Sequence, residues 1–254
     1  KRQTPDLRNY MLSLAREFDG NNLIFEIHAD EIMTADILVP ELKQQLCNSV
    51  RPRSAIMMPW TTLWKHPRMY RADGSIWSRT KSWFGYWDDR SANFEGPCFH
   101  GPRAPENYLN NRLDIDFLQV LHYQFVNIGY ERSKQALYHI YERNHYPSEN
   151  IEYINKKYAI AFDERSIKVS HLDPRHIQPW IQQGIFLDEQ YPSQVFNWRD
   201  VEVLRNFARY GTSRYRELNI WYIDWEKKRQ QALAEGFTEL PLTPIVDNRN
   251  VSTR

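Results

Sequence analysis

NNLIFEIHADEIM, residues 21–33, is the stretch on which the fold turns. Leu23 to Ile27 form a short apolar run, and His28, Asp30 and Glu31 stand at its end before the pattern turns apolar again. A run apolar at nearly every position predicts a strand buried on both faces, as in a parallel sheet. The stretch before it, TPDLRNYMLSLAREFDG at 4–20, predicts a helix. Thr4 can cap it, Pro5 suits its first turn and Gly20 its end. Leu7, Tyr10, Met11, Leu14, Ala15 and Phe18 recur at helical spacing on one face. A helix followed at once by a buried strand is half of a βαβ unit, which favours an α/β fold.

Ligands of open α/β sheets gather beyond the carboxyl ends of the strands, the place that His28, Asp30 and Glu31 occupy here. Two carboxylates and an imidazole within four residues suit a divalent cation, Mg²⁺ or Mn²⁺. A strand exit in which Asp30 caps the next turn has the same spacing. The pattern leaves both readings open.

Further along, Pro40 to Asn48 predicts a helix and SAIMMPW (54–60) a strand, with strand pieces at SIW (75–77) and SWFGYW (82–87). DFLQVLHYQF (116–125) suits a strand or a helix, and its β-branched and aromatic content with the following NIGY turn favour the strand. Helices follow at Glu131 to Arg143, from Pro147 to Tyr158 with Ser148 as cap, and over 199–235 with a break near Gly211. From Leu240 the prolines and polar residues predict an extended tail.

A 254-residue chain is long enough to bury a sizeable core, and 41% apolar with 26% charged residues is an ordinary soluble balance. The net charge of +1 supplies no global field toward nucleic acid or a membrane surface. Two cysteines, Cys47 and Cys98, make neither a disulfide framework nor a zinc cluster, which is the usage of a reducing, cytoplasmic protein. No stretch approaches the roughly 20 apolar residues of a membrane span. Trp60, Trp64, Trp77, Trp83 and Trp87 are five of nine tryptophans, interleaved with Lys65, Arg68, Arg71, Arg79 and Lys81. They form either a core or a platform on which sugar rings stack.

Several of these stretches, in this order, resemble the GT-A-fold glycosyltransferases of the family 2 type. The box His28-Ala29-Asp30-Glu31 resembles their metal-binding Asp-X-Asp motif, and RNYMLSLAREFDGNNLIF is similar to the helix and strand before it. FEGPCFHGPRAP resembles their loop carrying a histidine near the acceptor and phosphates, and VLHYQFVNIGYERSKQALYHIYE their late strand and helix. The resemblance covers about residues 5–160.

It implies an α/β fold with a GT-A-like mixed sheet flanked by helices. The catalytic, acceptor-side region would span 1–160, a helical C-terminal extension 161–239 and an extended tail 240–254. It implies transfer of a sugar from a nucleotide-sugar donor to a glycan or lipid-linked acceptor with Mn²⁺ or Mg²⁺. Asp30 would be the principal metal ligand, with His28 at the position of the first acid and His122 as a second ligand or phosphate contact. Arg103 would hold a phosphate through its forked donors, joined by Lys134, which lies one helical turn from Tyr138. Asp88, Asp89 or His100 would take the acceptor proton. His122 also suits a satisfied strand histidine, Asp88 and Asp89 a solvated turn, and Arg103 a surface position. The family places two strands and two helices ahead of its metal box, so a preceding segment or a partner chain is expected to complete the donor site. The rival expectation is a non-catalytic glycan-binding or assembly module that keeps part of this fold.

Overall fold

The computed structural model describes residues 5–95, 101–159, 164, 166–185 and 196–247. It divides into two compact units, Lys1–Val126 with Lys168–Glu189, and Asn127–Ile167 with Gln190–Arg254.

The first unit is a mixed sheet with helices around it. Helix α1 (Pro5–Ala15) carries Asp6 in its first turn, where a carboxylate suits the helix dipole. Strand β1 (Asn22–Phe25) follows, then β2 (Glu31–Met33) and α2 (Pro40–Ser49), whose Pro40 opens the first turn. The ten-residue β3 (Ala55–Trp64) is the pivot of the unit. After it come β4 (Met69–Arg71), the single-turn α3 (Ile76–Arg79), β5 (Lys81–Asp88), β6 (Arg112–Asp114) and β7 (Val120–Phe125).

Strand β3 pairs antiparallel with β5 and β4, and parallel with β6 and then β7. Strand β1 pairs antiparallel with β5, and β2 antiparallel with β7. The fold is therefore α/β with parallel and antiparallel pairing in one sheet, as the sequence led us to expect. Gly85 on β5 permits the close approach of β1, since a Cβ there would lie 2.5 Å from the Ile24 carbonyl oxygen.

Two local expectations are corrected. Strand β1 is not a buried parallel strand: among the described residues it pairs only with β5, antiparallel, and all four of its residues are half-buried. The SIW segment is helical, because the Ser75 side chain accepts from the Trp77 N–H and caps a turn.

Helix α1 does turn one face inward, but it is the face of Arg8 and Leu12. The apolar stripe of Leu7, Tyr10, Met11, Leu14 and Phe18 is exposed, with Tyr10 at 61% and Phe18 at 72%. Polar tethers select the inward face: Arg8 donates to Glu26, Asn9 exchanges hydrogen bonds with the Phe94 backbone, and beyond the helix Arg16 grips Asp88.

The second unit is helical. It holds α4 (Ile128–His145), capped by the Asn127 side chain, and α5 (Ile151–Ala159), capped by Asn150 rather than Ser148. The chain then returns to the first unit with β8 (Val169–His171), antiparallel to β4, and α6 (Gln178–Gln182). Back in the second unit, α7 (Trp198–Tyr210) starts in an Asn197/Asp200 capping box and ends at Gly211, whose φ of 76° suits a residue without Cβ. Helix α8 (Trp225–Ala234) completes it, capped by Asp224. Phe207 stacks on Trp221 at 5.5 Å in the core of this unit and meets Trp225 edge-on. No helix among the described residues is long and apolar enough to cross a membrane.

Candidate functional site

The loop after β1 returns the chain to the sheet as β2, which pairs with β7 so that Glu31 lies opposite His122. Just before β2, the Asp30 carbonyl accepts from the Tyr123 N–H at 2.8 Å. This register brings together two groups far apart in sequence: His122 Nε2 stands 3.4 Å from Asp30 Oδ2. The imidazole is buried, whereas the Asp30 side chain is 49% exposed. Parallel pairing of β3 with β7 puts Trp60 across from Val120, and its ring stacks on His122 at 4.5 Å. The Trp60 indole N–H is buried without an acceptor.

His28 and Glu31 enter a second cluster around Arg103. The Arg103 guanidinium donates to both Glu31 oxygens, at 2.6 and 2.8 Å, and to the Glu26 carbonyl at 3.1 Å. Its Nη2 also faces His28 Nδ1 at 3.3 Å, and His28 Nε2 lies 3.6 Å from the Glu26 carboxylate. Arginine has only donors, so His28 Nδ1 is the acceptor and Nε2 carries the proton toward Glu26. Arg8 donates to the same Glu26 oxygen at 2.7 Å. Burial alone would raise the Glu26 carboxyl, but the His28 and Arg8 hydrogen bonds, with the charges of Arg8 and Arg103, hold it below the usual range. Arg103 also sits over the faces of Phe84 and Trp60.

No family model, curated protein or solved structure matches this chain.

Its chemistry is read from geometry alone. Of the three metal ligands expected, Asp30 and His122 meet, while both ring nitrogens of His28 are spent on Arg103 and Glu26. Among the described residues no three His, Cys, Asp or Glu side chains gather as a metal site. Asp30 and His122 therefore fit only an ion that takes its other ligands from substrate oxygens, the usual habit of Mg²⁺. Arg103, expected to grip a phosphate, is instead paired in the protein interior with Glu31, whose side chain is fully buried.

Asp88 ends β5, Asp89 follows it, and both hold the scaffold. Both Asp88 oxygens accept from Arg16 at 2.8 Å, and the carboxylate is fully buried. Asp89 accepts from Arg53 and Tyr108, each at 2.6 Å, and from Ser91 at 2.5 Å. Burial would raise Asp89, but the hydrogen bonds from Ser91, Tyr108 and Arg53 hold it far below the ordinary carboxylate range. A carboxylate so held is a poor proton acceptor. Lys134 belongs to the second unit, on α4, with Glu131 at 3.5 Å. His100 lies outside the described residues.

The five clustered tryptophans serve the first unit's core. Trp64 and Trp77 pack on Phe125, and Trp60, Trp83 and Trp87 pack against buried clusters of the sheet. His176 pairs with Asp36 through Nδ1 at 2.6 Å. Sequence reasoning missed Glu26 and Arg8, although an acid inside the run LIFEI was the cue that an apolar strand was being interrupted for a partner.

Proposed function

We propose that this chain carries the acceptor-side part of a GT-A-type glycosyltransferase, moving a sugar from a nucleotide-sugar donor to a glycan or lipid-linked acceptor with Mn²⁺ or Mg²⁺. The observation that carries the reading is the meeting of Asp30 and His122 at 3.4 Å across β2 and β7. An exposed carboxylate beside an imidazole offers two ligands to an ion shared with a diphosphate, which would act as Lewis acid for the leaving nucleotide. The buried Trp60 N–H beside His122 supports an oxygen-rich occupant. The base is assigned to His100, since Asp88 and Asp89 are spent on Arg16 and Arg53.

The donor side is completed by a preceding segment or a partner chain. Two features support this: the exposed apolar stripe of α1, and the edge of β1 that pairs with no other strand among the described residues. An open sheet edge invites an added strand, and an exposed apolar helix face invites a covering. The exposed free thiol of Cys47 suits a reducing cytoplasm.

The ion pairing of Arg103, Asp88 and Asp89 favours a second reading, a non-catalytic glycan-binding or assembly module. Thermal unfolding with Mn²⁺, a panel of nucleotides and nucleotide sugars, and a panel of glycans separates the two. A ligand at a hundred times its dissociation constant adds about 2.7 kcal/mol, which for a chain of this size is roughly 5–10 °C. The enzyme reading expects a metal-dependent shift that Asp30→Asn and His122→Gln abolish. A shift with glycans alone, unchanged in both variants, supports the module and overturns the enzyme.

A further inference from the structure

In the second unit, the segment that follows α8 is tied down at two points. Arg229 donates to the Pro241 carbonyl, and the Ile245 N–H donates to the Glu226 carboxylate at 2.7 Å. Leu240 and Ile245 are buried, but between them Leu242 is 99% exposed, and Thr243 and Pro244 are exposed as well. The middle of the segment therefore packs on little, and between it and α7 lies a cleft of about 940 Å³. That volume is at the upper end of the range for small-molecule sites.

The polar groups of the cleft are incompletely used. Arg205 Nη1 donates to Glu202 at 2.7 Å, but its Nε is buried without an acceptor. The nearest carboxylate to that Nε is Glu239 at 3.8 Å, too far for a hydrogen bond. Glu239 has a φ of 62°, a left-handed backbone that is uncommon for a residue with a Cβ. Arg209 lies over the Tyr210 ring at 5.1 Å and has no carboxylate partner among the described residues. Thr212 and Thr243 line the same space with hydroxyls that no group among the described residues takes up.

The balance of charge selects the kind of occupant. The charged residues of the lining are Glu202 and Glu239 against Arg205 and Arg209, and they cancel. The cleft thus supplies no net field for an ion. It supplies donors and acceptors in alternation, and a ligand hydroxyl can use both at once. Pro241, Leu242 and Pro244 add an apolar wall against which the C–H faces of sugar rings can rest.

We infer that this cleft binds a neutral oligosaccharide, with Arg209, Thr243 and Leu242 among its contacts. The inference rests on the proposed handling of a glycan, but on neither its metal nor its nucleotide donor.

The test is isothermal titration of the full chain with maltotriose, cellotriose and chitotriose in EDTA, which silences any metal-dependent site. Wild type is expected to bind at least one of the three. Arg209→Gln, Thr243→Val and Leu242→Ala are each expected to weaken that binding by about three- to tenfold, the scale of one hydrogen bond or one small apolar contact. All three side chains are exposed, so the variants should fold, and circular dichroism with unfolding midpoints checks this. Asp30→Asn should leave trisaccharide binding unchanged. If the metal-dependent nucleotide-sugar shift is missing while a trisaccharide still needs Arg209, the enzyme reading falls and the cleft stands. Trisaccharide affinity that is equal in wild type and all three variants places the glycan elsewhere and overturns the inference, leaving the glycosyltransferase reading intact. Binding of none of the three, or of inorganic pyrophosphate in their place, overturns it as well.

Discussion

Glu31→Gln is the sharpest test of how the first unit holds its metal-box loop. The substitution keeps shape and volume, so no cavity opens, and only the charge is removed. Its partner is Arg103, whose side chain is 6% exposed and whose two strongest bonds run to the Glu31 carboxylate. Glutamine can accept through one oxygen, but its amide group meets the second guanidinium nitrogen donor to donor. Glu31 Oε2 also accepts from the His28 N–H at 2.9 Å, so the change disturbs the loop that carries Asp30. Removing one partner of a buried pair costs about 3–5 kcal/mol, because the charge left behind has no water to solvate it. For a chain of this size that lowers the unfolding midpoint by roughly 6–20 °C. The companion Glu31→Leu/Arg103→Met removes both charges and is expected to recover most of the loss. Urea unfolding followed by tryptophan fluorescence reads both. A Glu31→Gln midpoint within about 1 kcal/mol of wild type, the value of an exposed pair, would refute the reasoning.

Two further outcomes follow from other parts of the fold. Gly85→Ala sets a Cβ 2.5 Å from the Ile24 carbonyl oxygen and 2.7 Å from Phe25 Cδ1. It should cost about 1–3 kcal/mol and weaken amide-exchange protection in β1 first, and unchanged protection there would contradict the close approach. In the second unit, burial presses the His139 imidazole below its usual value of 6.5, against a weaker opposing hydrogen bond to the Gln135 carbonyl. A depressed pKa means that the neutral form is favoured by folding. This stability is complete above 6.5 and is lost as pH falls through the folded value. His139→Phe should therefore flatten the fall of the urea midpoint between about pH 7 and about pH 5, and an unaltered slope would place the titrating group elsewhere.

What was legible in the sequence came from local chemistry. Pro40 and Gly211 punctuate helices by mechanisms that act within one turn, and helices lie at both places the pattern marked, whereas the caps at Asn127 and Asn197/Asp200 were not read from the sequence. The apolar run of β1 gave its strand but not its partner, because an unbroken run cannot distinguish a parallel interior strand from an antiparallel edge. Helical spacing in α1 grouped the apolar residues correctly and left open which face the protein covers. That choice is made by Arg8, Asn9 and Arg16, whose partners lie 18 to 94 residues away. At the site, the sequence order of HADE and LHYQ pointed to Asp30 with His122, and pairing of β2 with β7 joins them. The fate of His28 was not legible, since it depends on Arg103, which reaches it from a distant loop.

The return of Lys168–Glu189 to the first unit has a consequence for how the chain can be made and rearranged. Strand β4 waits for β8 until α4 and α5 have been synthesised, so the first unit cannot finish its sheet in sequence order. The bonds that lock this strap, His176 to Asp36 and the Trp180 indole N–H to the Met33 carbonyl, wait for the same return of the chain. A fragment ending at Val126 would lack them. In chain order α4 and α5 interrupt the first unit, so recombination at a single junction could not exchange either unit whole.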